Sequence, residues 1–386
     1  MIYLTGARLV LADTMDNGGA VLIEDGVIAA IDPESAPRSA TEVALDGQLL
    51  MPGLIDVHCD ALEKDIEPRP NVRFPFALAI AQADKRNAAA GITTAFHALS
   101  FAQGEIGVRD VDVAEAVVRA VHDYRPHGLI DNRVHCRWEV TDPAGLASVL
   151  AVIEAGQAHL ISLMDHTPGR GQFKDEAAFR AYFAAAYGKS TAELDAILRA
   201  KYDNADRAGA GMGAIAAAAK AHGVPLASHD DDSPERVAMM AALGAALSEF
   251  PIDLATARAA EDHGMATLFG APNLVRGASQ SGAVRALDAV RAGLARCLCS
   301  DYAPAMLPAA LFGLAEAGTL TWPEAAALAA DHPARAVGLA DRGVIAPGLR
   351  ADLAAWRISG DWPQVTRCWV AGREVLRLRY PQANGS

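Results

Sequence analysis

Between residues 51 and 343 the chain repeats one pattern: a short apolar run, a polar loop, then a helical periodicity. Apolar runs open at Leu54 and cover 93–99, 133–140, 159–165, 224–228, 246–250, 273–277 and 295–300. Continuous apolar runs of this length, separated by helical patterns, predict strands of a parallel sheet buried on both faces. Helices are expected at about 75–90 (stopped by Gly91), 110–124, 143–155, 233–242, 253–263, 283–292, 305–317 and 322–338. A longer helical insertion spans 173–221, with a break near Gly188. Eight strands, each followed by helix, fit a (β/α)8 barrel. An open doubly wound sheet is the rival, but no glycine-rich phosphate loop follows the first strand.

The two ends read differently. Residues 1–50 carry short strand patterns punctuated by Asp16-Asn17-Gly18-Gly19 and Glu24-Asp25-Gly26. After Gly343 the pattern returns to β, at 344–345, 351–356, 367–370 and 374–378, with Ala371-Gly372 as a turn. The expected organisation is therefore a barrel at 51–343 and a small β-sandwich domain assembled from 1–50 and 344–386, with a frayed tail at 382–386.

Composition narrows the partners. Hydrophobic residues make up 52% and charged residues 21%, enough for a large core and too apolar for disorder. A net charge of −13 argues against a general nucleic-acid or acidic-membrane binder, so an anionic ligand needs a local basic cluster. No stretch reads as a signal peptide or a membrane span. Cys59, Cys136, Cys297, Cys299 and Cys368 form no paired framework, and cytoplasmic location with reduced thiols is expected.

The first strand sets the chemistry. Pro52-Gly53 releases Leu54-Ile55, and Asp56, His58 and Asp60 follow at spacing two, on one face of a strand. Barrel chemistry sits at the C-terminal strand ends. Those ends read His58 and Asp60; His97; His135, Arg137 and Glu139; Asp165 and His166; His229 with Asp230–Asp232; Glu249; and Asp301. Imidazoles with carboxylates and no thiolate suit zinc first, with Mn, Fe or Mg as alternatives, in one or two ions. Glu139 is the expected bridge between two ions. Asp301 is expected to hold the attacking water and take its proton. Asp230–Asp232 is read mostly as an N-cap cluster before Pro234. Lys64, Arg69 and Arg73, in a loop stiffened by Pro68 and Pro70, together with Arg170, form the basic group suited to phosphate oxygens.

Pro52-Gly-Leu-Ile-Asp-x-His58, the strand-end His and Asp set, and Gly343…Ile345-Ala-Pro-Gly…Ala351-Asp-Leu353 resemble the amidohydrolase superfamily. His58-Cys-Asp60-Ala-Leu-Glu-Lys64, Pro68-Arg-Pro70, Leu163-Met-Asp-His-Thr-Pro-Gly169 and Ser228-His-Asp230 resemble its branch of triphosphate diphosphatases of phosphonate breakdown. The resemblance implies a metal-dependent barrel with a composite β-sandwich. It also implies cleavage of a phosphoanhydride, taking α-D-ribose 1-methylphosphonate 5-triphosphate to the 5-phosphate and pyrophosphate. Carried over, His58, Asp60, Glu139, His166, His229 and Asp301 would be ligands or catalytic groups, with Asp301 and His229 catalytic. Asp60 stands where most superfamily members have a second His, as in this branch. Hydrolysis of a C–N bond in a cyclic amide, N-acyl amino acid or amine is the alternative. The expected partner is a phosphorylated small molecule, and the expected assembly a homodimer.

Overall fold

Eight parallel strands follow one another in chain order around one sheet: Leu54–Cys59, Ile92–Phe101, Asp131–Glu139, Leu160–Met164, Leu226–His229, Ala245–Glu249, Ala266–Gly270 and Cys297–Cys299. The computed structural model describes residues 1–102, 108–171, 173, 175–187, 189–279, 282–359 and 362–381; the break expected near Gly188 and the frayed tail lie outside them. Every residue of the second strand is buried, as expected where helices cover one face and the barrel interior the other. Ile55, Val57, Phe96, Leu160, Leu247 and Leu268 pack together as one cluster. Helices Val111–Tyr124 and Pro143–Glu154 bring Val117, Val121, Val149 and Ile153 to the core against Leu99 and Val134. Asp110 and Asp142 cap these two helices by accepting N–H bonds from their first turns.

The first and eighth strands meet through a bridge between Cys59 and Asp301. Asp301 N–H donates to His58 O at 3.0 Å, and Asp60 N–H donates to Asp301 O at 2.7 Å. Asp56 reinforces this seam, accepting from Ser300 N–H at 3.0 Å and His58 N–H at 3.3 Å. Burial raises the Asp56 carboxyl to about 6, against the opposing pull of those bonds.

Two expected elements differ. The seventh strand is Ala266–Gly270, and residues 273–277, expected as strand, lie in or just after helix Ala271–Arg276. Pro272 in its first turn and Gly277 in the left-handed region (φ +72°) frame this helix, the ordinary asymmetry of helix ends. The single helix expected over 322–338 is two, Trp322–Ala327 and Asp331–Ala336. The break frees the carbonyls of Leu328 and Ala329, which accept from Leu298 N–H and Ile55 N–H of the eighth and first strands at 2.7 Å each.

A second sheet is built from both termini. Ile2–Val10, Met15–Glu24, Val27–Ile31, Thr41–Ala44 and Leu49–Pro52 join Leu353–Ser359, Trp362–Val370 and Arg373–Arg377. The two ends of the chain meet where Leu353–Ser359 pairs antiparallel with Leu49–Pro52. Val344-Ile345 forms no strand; Ile345 is a buried side chain in this sheet's core with Leu50, Leu353 and Trp369. Gly91 joins the two bodies. Its φ is +71°, and a Cβ there would lie 2.2 Å from the ring of Trp356, so only glycine both stops the preceding helix and admits the indole.

Candidate metal centre

The C-terminal ends of the barrel strands place seven donors in a row. Three groups have ligand atoms within 4.8 Å of one another: His58, Asp60 and Asp301; His58, His229 and Glu249; and His166, His229 and Asp230. His58 and His229 are shared, so the groups run into one another. His58 Nδ1 lies 2.9 Å from Glu249 Oε1 and Nε2 lies 3.3 Å from Asp60 Oδ1. The other Glu249 oxygen accepts from the Ser162 hydroxyl. At the far end, His229 Nδ1 and Asp230 Oδ2 are 3.2 Å apart, both buried, and neither makes a well-aligned hydrogen bond among the described residues. Buried donors left in that condition are costly unless a cation completes them. Nitrogen and oxygen donors without thiolate fit Zn²⁺ or a similar divalent ion.

The backbone is committed to this arrangement. Asp230 and Asp301 adopt left-handed φ values of +52° and +55°, uncommon for side chains with a Cβ; Asp230 directly follows the fifth strand and Asp301 comes two residues after the eighth. Asp230 N–H donates to Glu249 O at 2.8 Å, so the turn is pinned to the neighbouring strand.

A guanidinium balances the carboxylates. Arg137 Nη1 donates to both Asp60 oxygens, at 2.9 and 3.1 Å, and Nη2 lies 3.3 Å from His229 Nε2. Arg109 adds Nη2 at 3.5 Å from Asp60 and donates through Nε to Glu63 at 2.9 Å. Burial alone would raise the Asp60 carboxyl, but Arg137, His58 and Arg109 hold it well below the usual range. Burial would likewise lower His58, yet Glu249 and Asp60 push it up to about 10. Asp301 goes the other way: burial and the adjacent Asp60 charge raise it to about 6.

Glu139 stands outside the three donor groups. Lys201 Nζ lies 2.9 Å from Oε1, His166 Nδ1 lies 3.1 Å from Oε2, and the Thr141 hydroxyl donates to Oε1 at 2.8 Å. Against the effect of burial, Lys201 and His166 hold this carboxyl low. The arrangement expected for Glu139 was a bridge between ions; here a lysine supplies the facing charge.

Other expected residues scatter. His97 Nε2 donates to Asn132 Oδ1 (2.8 Å), and its burial lowers it, so it is a partnered core histidine. His135 adjoins the row, its ring edge-on to His58 at 5.1 Å and its Nε2 3.8 Å from Glu249 Oε1, with burial pushing it down to about 3. Asp230–Asp232 does not cap the helix at Pro234; Ser233 does, accepting from Arg236 N–H. Asp231 is instead buried on the hydroxyls of Ser228 and Ser248, and Asp232 accepts from Gly171 N–H at 2.9 Å.

A cavity of about 330 Å³ opens beside His229 and Asp230, and Arg170 and Arg236 are its cations. Arg170 is held on Asp165 at 2.7 Å. Arg236 is largely buried, 4.0 Å from Asp231, and its Nη2 makes no hydrogen bond among the described residues. Lys64 and Arg69 are exposed, and Arg73 donates to Glu67 at 3.0 Å; none of the three lines the cavity. Strand-end position pointed to Glu249 and Arg137. Lys201 carried a subtler signal: it falls on the buried stripe of its helix with Leu194, Leu198, Ala208, Met212 and Ile215.

Residues 49–375 match the amidohydrolase family. The chain is 33% identical over 385 residues to alpha-D-ribose 1-methylphosphonate 5-triphosphate diphosphatase of Escherichia coli (strain K12), covering 97% of this chain and 100% of that one. Solved structures with the same fold include N-acetylglucosamine-6-phosphate deacetylase from Pasteurella multocida (TM-score 0.65, 14% identity, 97% of this chain and 99% of that chain). Another is 5-methylcytosine deaminase from Klebsiella pneumoniae (TM-score 0.64, 16% identity, 100% and 99%).

Proposed function

The chain belongs to the amidohydrolase family and is a hydrolytic enzyme, and from that premise we propose that it cleaves a phosphoanhydride in a ribosyl 5′-triphosphate. The substrate we favour is α-D-ribose 1-methylphosphonate 5-triphosphate, giving the 5-phosphate and pyrophosphate. The observation that carries the reading is full-length similarity to a diphosphatase together with a donor row that opens on a cavity lined by Arg170 and Arg236.

His58, Asp60, His166, His229 and Asp301, with Asp230 and Glu249, would hold one or two divalent ions, zinc first. When bound, such an ion supplies Lewis acidity and an activated water. The chain's own residues do the rest. Arg137 keeps Asp60 ionised and oriented. Asp301, with its carboxyl raised to about 6, is suited to accept a proton at neutral pH and return it to a leaving oxygen. Arg236 and Arg170 line the same cavity, where their guanidinium charges would meet a phosphate. Buried free thiols, with no helix among the described residues long and apolar enough to cross a membrane, support a cytoplasmic site of action.

A C–N hydrolase is the second reading. It is favoured by one observation: Lys64, Arg69 and Arg73 lie away from the cavity, which removes three of the four cations expected to meet a triphosphate. Zinc-loaded protein should release pyrophosphate from ribosyl or nucleoside 5′-triphosphates, with Arg236→Ala raising KM about tenfold or more. Turnover of cyclic amides or N-acyl amino acids, without phosphorus products and unaffected by Arg236→Ala, would select the second reading.

A further inference from the structure

We propose that Lys201 and Glu139 are a positioning pair for His166, so that the helical insertion, rather than the barrel alone, sets metal affinity at this end of the donor row. The inference rests on the reading that the row holds a divalent ion, and not on which bond is cleaved.

The geometry starts at Glu139, the last residue of the third strand. Its carboxylate faces His166 twice. The His166 backbone N–H points at both oxygens, at 3.4 and 3.3 Å, and ring Nδ1 lies 3.1 Å from Oε2. A carboxylate accepts only, so Nδ1 carries a proton, and in the neutral ring the lone pair is then at Nε2. Nε2 lies 3.9 Å from Asp230 Oδ2, within the donor group of His166, His229 and Asp230. A carboxylate on one ring nitrogen, with the other nitrogen turned toward the ion, is how proteins fix the tautomer and angle of a ligating histidine.

Lys201 completes the unit. It comes from helix Thr191–Ala221, far along the chain, yet its ammonium lies 2.9 Å from Glu139 Oε1 with the side chain 6% exposed. Burying that charge is tolerable because Glu139 faces it, and the lysine in turn holds the carboxylate in place beside His166. The insertion also braces the ring face. Phe173 stands edge-on to His166 at 5.8 Å and packs with Phe179, Phe183, Leu194 and Leu198. One small apolar core thus fixes both the cation and the aromatic wall. Lys201 acts through Glu139 and is a positioning residue.

Zinc titration of chelator-stripped protein against a chromophoric competitor tests this without substrate. Lys201→Met is expected to weaken one zinc-binding step 10- to 100-fold, and Lys201→Arg to recover most of it. Long-range 1H–15N spectra of histidine-labelled, metal-free wild type should show His166, assigned by its loss in His166→Gln, as the Nδ1–H tautomer. Zinc affinity unchanged in Lys201→Met overturns the inference, as does an Nε2–H tautomer; the spectrum decides even if the Met variant fails to fold. A variant that keeps its zinc but shows a raised KM would make Lys201 a substrate contact instead. Wild type that binds no zinc would sink the metal reading itself, whereas loss of the phosphoanhydride reading leaves both measurements standing.

Discussion

At the scale of single residues, the site is a set of buried charges that hold one another. Arg137 is the clearest case. It donates to both oxygens of Asp60 and reaches His229, and like His229 it is buried. Arg137→Met would leave Asp60 without its main counter-charge, and denaturant unfolding of the metal-free variant should show a loss of about 3–5 kcal/mol. Asp301→Asn should behave in the opposite sense. Its carboxyl is disfavoured by burial and by Asp60, so removing the charge should leave metal-free stability unchanged or raised, while kcat for pyrophosphate release falls about 10²- to 10⁴-fold. A stable variant with near-normal turnover would remove Asp301 from the proton step. Residue-level legibility was uneven. His58, Asp60, His166, His229 and Asp301 all sit at strand ends, where position alone points to a shared mouth. Asp230 was hidden inside an acidic run that resembles a cap, because nothing local says that Ser233 does the capping. Lys201 was visible only as a charge on an apolar stripe, and its partner is 62 positions away in sequence, at Glu139.

At the scale of elements, breakers decide more than hydropathy does. The run after Pro272 is apolar enough for a strand, yet Pro in the first turn and Gly277 at the end make it a helix, and the strand is the run just before. The broken helix at 328–330 is dictated by two barrel strands that need acceptors for Ile55 and Leu298, a requirement that lies outside the local sequence. Where a local rule and a contact coincide, the expectation held: Gly91 both ends a helix and faces Trp356. Gly91→Ala should therefore cost roughly 2–4 kcal/mol, from the strained φ and the overlap with the indole, read as a lower thermal midpoint. An unchanged midpoint would mean that the terminal sheet shifts freely against the barrel. His159 supplies a pH test. It accepts Val134 N–H at Nδ1, 3.1 Å away, and burial with Arg125 and Arg133 lowers it to about 3. Between that value and the unfolded 6.5 the unfolded chain binds the extra proton, so this stabilisation is complete above pH 6.5 and is lost as pH falls toward 3. His159→Asn should flatten that part of the stability profile; an identical slope would contradict the assignment.

At the scale of the molecule, the terminal sheet closes one side of the barrel, the strand ends carry the donors, and the insertion reaches over one end of them. The fold was legible because eight βα units and two β-rich ends leave few alternatives. The substrate was less so, since Lys64, Arg69 and Arg73 read as a phosphate cluster in sequence but face solvent or Glu67 in space. The function we propose requires a metal-loaded mouth that cuts a phosphorus–oxygen bond. The direct measurement is 31P NMR of zinc-loaded protein with a ribosyl 5′-triphosphate, before and after chelation. The account predicts that equal amounts of 5′-monophosphate and pyrophosphate appear, that chelation stops them, and that zinc restores them. Triphosphate left intact by fully zinc-loaded protein would contradict it.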